Sequence, residues 1–261
     1  MIRMIASDID GTLVGEGENR LDERLVEVIL KLKERGIHFV AASGRQIHSI
    51  EEIFTPIRDK IFYIGHNGAY VGIYGRNLFL YPMDRALAEP LMADIQAEPD
   101  FNIMVETAST AYLEPKDPEF ICRMRDGYRF QVTVVDDVKT ITDPIIKVSA
   151  FVKRDMDRAF AFLHGKYGGG LKVTMSGRKW IDCMAPGVCK GRALASIQES
   201  LGVSAAETMA FGDQMNDLEM MERAYYSFAV GNARPEVKAA ARFQADTNAD
   251  GGVLKILELL L

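Results

Sequence analysis

The first third of the chain alternates between short apolar runs and segments whose apolar positions repeat with a helical period. The apolar runs predict three strands, at 2–9, 37–42 and 61–64. Between the first two, the apolar side chains from Leu21 to Leu32 fall on one helical face, and a second helix is predicted at 46–54. Since strands that alternate with helices form parallel sheets with right-handed crossovers, this region predicts the start of an α/β sheet.

The pattern changes after Pro82 and returns at Lys190. The segment between them has a helix at 84–97 followed by short strands in hairpins, which is typical of an α+β domain. From Lys190 onward, helices and strands alternate again, with a strand at 208–211. The predicted fold class is therefore α/β, a Rossmann-like parallel-sheet core with an inserted α+β domain. The predicted bounds are 1–82 and 187–261 for the core and 83–186 for the insert.

Composition narrows the class of protein without changing this picture. A chain of 261 residues with 48% hydrophobic and 26% charged residues is typical of a folded protein and excludes disordered and fibrous architectures. The net charge is −6 without a basic stripe, so we expect no nucleic-acid partner. We expect no membrane partner, because the sequence has neither a signal peptide nor an apolar stretch of spanning length. Three cysteines fit a reducing compartment and predict a cytoplasmic protein.

Polar motifs follow three of the predicted core strands, at the point where each strand ends. DIDGT occupies 8–12, SGR occupies 43–45 and GDQMND occupies 212–217. Ligands of open α/β sheets bind beyond the carboxyl ends of the strands, near the point where the strand order reverses. The motifs therefore bring four carboxylates to one edge of the sheet: Asp8, Asp10, Asp213 and Asp217. Because four clustered carboxylates cannot all ionise cheaply without a counter-charge, the pattern favours a cation at this edge.

A magnesium ion with a substrate phosphate would balance that charge, since Mg²⁺ in proteins takes one or two carboxylates together with water and phosphate oxygens. The hydroxyls of Thr12 and Ser43 and the ammonium of Lys190 are candidate donors to the phosphate. Gly11 and Gly44 would let the backbone approach it. Each piece alone is ordinary, because DxDG is a common turn, GDxxND a common helix start and most lysines are solvated. Their order along the chain favours a functional site.

The ordered motifs resemble those of a known enzyme superfamily. The four motifs of the haloacid dehalogenase superfamily are matched by DIDGTL at 8–13, SGR at 43–45, Lys190 with Gly191, and GDQMND at 212–217. Further segments resemble its Cof-type phosphatases: NGA at 67–69, PGVCKGRAL at 186–194, GNARPEVKAAA at 231–241 and NADGGV at 248–253. The resemblance covers nearly the whole core, whereas the insert is similar only in length and placement. One departure lies at 225–231, where YYSFAVG stands in place of a strand that is usually smaller.

The resemblance implies a phosphohydrolase that works through a covalent aspartyl-phosphate. It implies Asp8 as the nucleophile, with Asp10 protonating the leaving alcohol and then activating water. It implies a Mg²⁺ cofactor held by the Asp8 carboxylate, the Asp10 backbone carbonyl and Asp213, with Asp217 in support. Lys190 would be the third catalytic group. The remaining residues that it implies around the phosphoryl group are Thr12, Ser43, Gly44, Asn67, Gly68 and Asn216. The insert would be a type C2 cap.

We therefore expect a Mg²⁺-dependent phosphatase of small phosphorylated metabolites. Sugar phosphates are the leading substrate class, and phosphorylated cofactors such as pyridoxal phosphate or flavin mononucleotide are the second. A phosphomutase or phosphotransferase stays open, because it would share the chemistry of Asp8. A non-catalytic regulator that binds phosphorylated metabolites is less favoured, since a sensor need not keep both Asp8 and Asp10. The sequence predicts no oligomeric state.

Two cationic residues of the insert, Lys147 and Arg178, are candidates for binding a second anionic group, although a solvated side chain is the more ordinary interpretation of each. Trp180 and Asp182 lie on the predicted strand that returns to the core. For these two residues, packing within the insert is favoured over a place in a binding pocket.

Overall fold

The computed structural model describes residues 1–15, 18, 20–114, 116–127, 129–176 and 179–261. Contacts within the chain separate a core unit, Met1–Phe79 with Cys189–Leu261, from an inserted unit, Leu80–Val188. The two boundaries predicted from the sequence are 82/83 and 186/187. Arg178, a candidate anion ligand, lies outside the described residues. None of the described helices combines the length and the apolar composition that crossing a bilayer requires.

The core unit begins with alternating strands and helices followed by a hairpin. Its first elements are β1 Met4–Asp8, α1 Glu23–Glu34, β2 His38–Ala42, α2 Ile47–Ile53, β3 Phe62–Gly65, β4 Tyr70–Ile73 and β5 Arg76–Leu80. The predicted amphipathic helix is α1. It begins after Asp22, whose carboxylate accepts the backbone N–H groups of Arg24 and Leu25. Its buried face consists of Leu25, Val28, Ile29 and Leu32.

The inserted unit is an α+β domain, as predicted. Its elements are α3 Arg85–Ala97, β6 Phe101–Glu106, β7 Ala111–Leu113, α4 Pro118–Cys122, β8 Val132–Val134, β9 Lys147–Val152, α5 Met156–Tyr167, β10 Lys172–Met175 and β11 Trp180–Met184. The strands form a six-stranded sheet in the order β10-β11-β9-β6-β7-β8, in which β9 is antiparallel to both neighbours. One face of this sheet packs on α3 and α5 through a hydrophobic cluster that includes Leu91, Val148 and Leu163.

Lys147 corrects an expectation from the sequence. Its side chain is only 5% exposed, so the interpretation as a solvated lysine is wrong. Its Nζ lies 2.6 Å from Oε2 of Glu106 and 3.7 Å from Oδ2 of Asp182. The hydroxyls of Ser149 and Ser176 each donate to Asp182 at 2.7 Å. Lys147 is therefore part of a buried ion-pair network within the inserted unit.

The sheet face that carries Lys147 and Asp182 lies opposite to the face covered by α3 and α5, and it has an aromatic cluster at its other end. Trp180 packs on Phe151 and Phe120, with ring centroids 5.1 and 5.8 Å away. Phe120 belongs to α4, a helix of five residues that the sequence pattern does not predict. The Asp117 side chain caps this helix by accepting the backbone N–H of Phe120. Trp180 therefore takes part in packing of the inserted unit.

The second part of the core unit resumes the α/β alternation. Its elements are α6 Lys190–Leu201, β12 Thr208–Gly212, α7 Leu218–Met221, β13 Tyr226–Ala229, α8 Pro235–Ala240, β14 Phe243–Gln244 and α9 Gly252–Glu258. Both parts contribute to one eight-stranded sheet in the order β14-β13-β12-β1-β2-β3-β4-β5. The strands from β14 to β3 are parallel, and β4 runs antiparallel to β3. The predicted Rossmann-like core is confirmed.

The strand order reverses at β1, which has β2 on one side and β12 on the other. The chain moves outward from β1 through β2 and β3, and it later moves the other way from β12 through β13 and β14. The carboxyl ends of β12, β1 and β2 are Gly212, Asp8 and Ala42, so these three ends are neighbours. The polar motifs therefore meet at the switch point, where open α/β sheets bind ligands.

Candidate active site

A buried charged cluster lies at the carboxyl end of β1. Asp8, the last residue of β1, is 6% exposed and accepts a hydrogen bond from Nζ of Lys190, the first residue of α6. The same Nζ donates to Oδ1 of Asp217 at 2.7 Å. Lys190 and Asp217 are completely buried. One lysine therefore joins two carboxylates that follow different strands.

Burial and mutual charge set the protonation of this cluster. Burial raises the pKa of Asp8 well above its ordinary value, an effect that Lys190 opposes and Asp217 reinforces. Burial alone would lower the pKa of Lys190, but the carboxylates of Asp217 and Asp8 together outweigh it and raise that pKa above its usual range. Burial also raises the pKa of Asp213, although a hydrogen bond from Thr12 opposes the rise. Lys190 is therefore held as a cation, whereas burial disfavours the ionised forms of Asp8 and Asp213 beside it.

The turn after β12 fixes Asp213 and Asp217 relative to each other. Oδ2 of Asp217 accepts the backbone N–H groups of Asp213 and Gln214, both at 3.0 Å. Asp213 in turn accepts the Thr12 hydroxyl at 2.9 Å and the Gln214 side-chain amide at 3.1 Å. A Cβ at position 11 would lie 2.5 Å from Oδ2 of Asp213. The loop after β1 therefore approaches Asp213 this closely because residue 11 is glycine.

The carboxylates suit a divalent cation. Oxygen atoms of Asp8, Asp213 and Asp217 lie within 4.8 Å of one another, and three carboxylates carry more negative charge than Lys190 offsets. Hard oxygen donors with excess negative charge are what Mg²⁺ prefers. Both oxygens of Asp217 already accept hydrogen bonds, which suits a residue that holds the metal ligands in place rather than one that binds the ion directly. The Asp10 side chain is outside this group, and the resemblance assigns only its backbone carbonyl to the metal.

A second group of predicted residues is joined at the carboxyl ends of β2, β3 and β12. Nδ2 of Asn216 donates to Oδ1 of Asn67 at 3.0 Å. The backbone N–H of Asn67 donates to the carbonyl of Ser43 at 3.1 Å. A Cβ at position 44 would lie 2.9 Å from Oδ1 of Asn67, so Gly44 leaves the space that this side chain occupies. Gly68, which follows Asn67 in the chain, packs against the start of α6.

Asp10 has a different partner. Its side chain is 32% exposed and forms a bidentate ion pair with Arg45, from Nε to Oδ2 at 2.8 Å and from Nη2 to Oδ1 at 2.5 Å. Arg45 belongs to the SGR motif, but the sequence predicts no role for it. The two residues are 35 positions apart, and the pairing of β1 with β2 brings them together.

Two further asparagines, which are not among the residues predicted from the sequence, hydrogen-bond to the loop after β1. Nδ2 of Asn232 donates to the carbonyl of Gly11 at 2.7 Å, and Nδ2 of Asn248 donates to the carbonyl of Val14 at 3.2 Å. The backbone N–H of Asn248 donates to Oδ1 of Asn232 at 3.0 Å. Both asparagines lie in segments that resemble the Cof-type phosphatases, at 231–241 and 248–253, and this resemblance is the sequence signal that could have identified them. These segments thus brace the loop that follows β1.

The departure from the family pattern at 225–231 is accommodated by aromatic packing. Phe228 of β13 stacks on Phe211 of β12 with a centroid distance of 5.1 Å and an interplanar angle of 21°. It also stacks on Phe243 of β14 at 5.1 Å. Tyr225 lies beneath the guanidinium of Arg242, 4.6 Å from its ring centroid. Phe228 therefore packs across three adjacent strands of the core sheet.

Comparison with known proteins identifies relatives along the whole chain. The family model of haloacid dehalogenase-like hydrolases matches residues 5–257. The 5-amino-6-(5-phospho-D-ribitylamino)uracil phosphatase YbjI of Escherichia coli (strain K12) is 28% identical over 261 residues, which cover 100% of this chain and 96% of the relative. The HMP-PP phosphatase of Enterobacter sp. (strain 638) is 28% identical over 244 residues, covering 92% and 88%. A solved structure from Eubacterium rectale has 34% identity and a TM-score of 0.94, covering 100% of this chain and 99% of that one.

The family match includes the DIDGT, SGR and GDQMND motifs and Lys190, which form the buried cluster and its surroundings. It also includes the inserted unit, and the similarity to the two phosphatases likewise runs through both units. The chain therefore belongs to the family of haloacid dehalogenase-like hydrolases and is a phosphoric monoester hydrolase.

Proposed function

We propose that the chain is a Mg²⁺-dependent phosphatase that hydrolyses phosphomonoesters of small metabolites through an aspartyl-phosphate on Asp8. The observation that carries this proposal is the buried cluster in which Lys190 donates to both Asp8 and Asp217, with Asp213 beside them. Phosphoryl transfer requires mainly positioning and charge neutralisation from a protein. A carboxylate nucleophile next to a buried cation and a set of hard oxygen ligands provides both.

Asp8 acts first as the nucleophile. One of its oxygens attacks phosphorus, and the bond from phosphorus to the leaving alcohol breaks. Lys190 offsets the negative charge on the phosphoryl oxygens, since it is held as a cation beside Asp8. Ser43 and Asn216 supply further donors from the same edge of the sheet, and Thr12, whose hydroxyl donates to Asp213, lies beside them. Water then attacks phosphorus and releases Asp8 as a carboxylate.

The Mg²⁺ site would consist of Asp8, Asp213 and the Asp10 backbone carbonyl. When bound, the ion supplies positive charge that keeps the nucleophile ionised beside a phosphate dianion. Asp217 keeps the ligand turn in place, because its Oδ2 accepts the backbone N–H groups of Asp213 and Gln214.

Asp10 is the proposed acid and base. It gives a proton to the departing alcohol oxygen in the first step and takes one from the attacking water in the second. The two-residue spacing from Asp8 places both functional groups at the carboxyl end of one strand. A protein that only senses a phosphorylated ligand would not need this second group.

Sugar phosphates are the proposed leading substrate class, with phosphorylated cofactors such as pyridoxal phosphate and flavin mononucleotide second. The relative from Escherichia coli is named for a substrate in which a phosphoribityl chain is joined to a uracil ring. That compound unites a polyol phosphate with a heterocycle, so it supports assaying both classes.

Asp8→Asn tests the proposed reaction, because it keeps the shape of the side chain and removes the nucleophile. With Mg²⁺ and a panel of sugar phosphates and phosphorylated cofactors, wild type should release inorganic phosphate, whereas the variant should lose about 10³-fold or more in kcat. Asp59→Asn is the matched control, since its carboxylate is 59% exposed, and it should keep full activity.

Three outcomes would contradict the proposal. Ordinary turnover by Asp8→Asn would reject the nucleophile. Full activity after exhaustive chelation, without any gain from added Mg²⁺, would reject the metal. Release of an isomeric sugar phosphate in place of inorganic phosphate would identify a phosphomutase that uses the same aspartate.

A further inference from the structure

Arg45 is the residue of the SGR motif that has no part in the proposed reaction. Its side chain is 16% exposed, half the exposed fraction of Asp10. Nε and Nη2 bind different oxygens of Asp10, and Nη2 also donates to the backbone carbonyl of Glu18 at 3.1 Å. A guanidinium that binds a carboxylate through two parallel hydrogen bonds fixes the plane of that carboxylate, which a single ammonium cannot do.

The backbone of the motif is itself fixed. The N–H of Arg45 donates to Oγ of Ser43 at 3.1 Å, and the carbonyl of Arg45 accepts the N–H of His66 at 3.0 Å. Ser43 is bonded to β3 through its own N–H, which donates to the carbonyl of Ile64 at 2.8 Å. Arg45 therefore reaches Asp10 from a neighbouring strand end that is bound to β3. The orientation of one carboxylate depends on two adjacent strand ends.

We propose that Arg45 is a positioning residue that orients the carboxyl group of Asp10 toward the reacting oxygen. This inference rests on the proposed function, since it requires attack by Asp8 on a phosphomonoester. In the first step the bond from Asp8 to phosphorus forms and the bond to the alcohol oxygen breaks. Asp10 enters this step with a proton on one oxygen, while its other oxygen keeps a hydrogen bond from Arg45, and it gives that proton to the alcohol oxygen. In the second step a water oxygen bonds to phosphorus, the bond to Asp8 breaks, and Asp10 takes the proton of the water.

Orientation of Asp10 matters most where the leaving group needs a proton. An alkyl phosphate leaves as a strongly basic alkoxide unless it is protonated as the bond breaks. The leaving group of p-nitrophenyl phosphate is a weakly basic phenolate that departs without a proton. Arg45 therefore contributes to forming the aspartyl-phosphate from a sugar phosphate and contributes little when p-nitrophenyl phosphate is the donor. A collapsed site would slow both reactions alike.

Single-turnover formation of the phosphoenzyme from each donor tests this difference in Arg45→Ala and Arg45→Lys. In both variants we expect a loss of about 10²-fold with a sugar phosphate and less than about tenfold with p-nitrophenyl phosphate. Arg45→Lys keeps the charge but loses the fork, so it should resemble Arg45→Ala. Arg20→Ala is the matched control, because Arg20 pairs with Glu23 at the surface with its side chain 84% exposed, and both rates should stay unchanged.

Guanidinium ion gives a readout that a structural defect would not produce. At concentrations that leave the Tm unchanged, it should restore the sugar-phosphate rate of Arg45→Ala and not that of Arg45→Lys, where the ammonium occupies its place. Equal losses on both donors, wild-type rates in Arg45→Lys, or no rescue of Arg45→Ala would each overturn the proposal. Failure of the proposed function is distinguishable, because wild type itself would then form no phosphoenzyme.

Discussion

Gly68 lies against the carbonyl oxygen of Cys189, so closely that a Cβ at position 68 would overlap that atom. The same Cβ would lie 3.0 Å from the backbone nitrogen of Lys190. Gly68 also has a φ of +102°, which a residue with a side chain rarely adopts. The loop after β3 therefore sets the position of the first residue of α6. Since that residue is the buried lysine that joins Asp8 to Asp217, a distant glycine controls the geometry of the cluster.

Gly68→Ala should consequently lower activity more than a Gly→Ala substitution that only strains the backbone. The added methyl group must push the start of α6 away, and a displacement of this size near the reacting groups costs about 10²-fold in kcat/KM. Gly75→Ala is the matched control, because Gly75 has a φ of +70° with no atom within 4 Å of a built Cβ. That variant should lose about 1–2 kcal/mol of stability from backbone strain and keep full kcat/KM. Equal kcat/KM in the two variants would contradict the role of Gly68.

Much of the core site could be predicted because its signals are local. Apolar runs located β1, β2 and β12, and each is followed directly by a polar motif. The rule that parallel strands share one carboxyl edge then placed Asp8, Ser43 and Asp213 together. The places of Asn67 and Asn216 came from the resemblance, since an asparagine after a strand carries no chemical signal by itself.

The partners of charged residues could not be predicted in the same way, because they depend on strand register. The sequence of β9 alternates polar and apolar residues from Lys147 to Ala150, which is typical of a strand with one solvated face, yet every residue of the strand is buried. Its register with β6 sets Lys147 directly opposite Glu106. The fork from Arg45 to Asp10 likewise depends on the pairing of β1 with β2. The pattern of neighbouring residues along the chain predicts neither of these two ion pairs.

Asp213→Asn should have opposite effects on the metal-free and metal-loaded protein. Burial and repulsion from Asp217 raise the pKa of Asp213, so its charged form is disfavoured when no cation is present. A neutral amide removes that penalty, and the Tm of the metal-free protein should rise by about 2–4 °C for each kcal/mol relieved. The same change removes a ligand, so added Mg²⁺ should no longer raise the Tm.

Differential scanning calorimetry with and without Mg²⁺ measures both effects. Asp59→Asn, which removes an exposed carboxylate of the same unit, should leave the metal-free Tm and the Mg²⁺-dependent rise as in wild type. A metal-free Asp213→Asn protein that is less stable than wild type, or one that keeps the full Mg²⁺ response, would contradict the assignment of Asp213.

Lys147→Met should strongly destabilise the inserted unit. It would leave Glu106 and Asp182 buried without their cation, and breaking a buried pair by removing one partner costs about 3–5 kcal/mol. Lys153→Met is the matched control in the same unit. Its ammonium pairs with Asp117 but is 39% exposed, so we expect a loss of less than about 1 kcal/mol. Hydrogen exchange of the β6 and β9 amides measures the stability of this sheet directly.

A second variant separates lost charge from lost packing. Combining Lys147→Met with Glu106→Gln and Asp182→Asn removes the uncompensated charges while it keeps similar side-chain volumes. The triple variant should recover a large part of the stability lost in Lys147→Met. If it is less stable than the single variant, packing of the lysine stem rather than its charge explains the burial.

Asp117 should make the inserted unit sensitive to acid. A hydrogen bond from Lys153, supported by Asn102 and by the backbone N–H of Phe120, lowers the pKa of Asp117 to about 2. The folded-state pKa is lower than the unfolded-state value, so this carboxylate stabilises the fold at pH values above about 4. That stability is lost as the pH falls from about 4 to about 2. Because the side chain is 25% exposed, we expect about 1 kcal/mol.

Asp117→Asn should therefore be less stable than wild type by a constant amount between pH 5 and pH 7, and the difference should shrink below about pH 4. Urea denaturation followed by the fluorescence of Trp180, which packs on the helix that Asp117 caps, measures this difference across the pH range. Asp157→Asn, at an exposed position in the first turn of α5, controls for the loss of one negative charge. A stability difference that persists unchanged to pH 2 would show that the cap acts through its shape rather than its charge, and it would contradict the ion pair with Lys153.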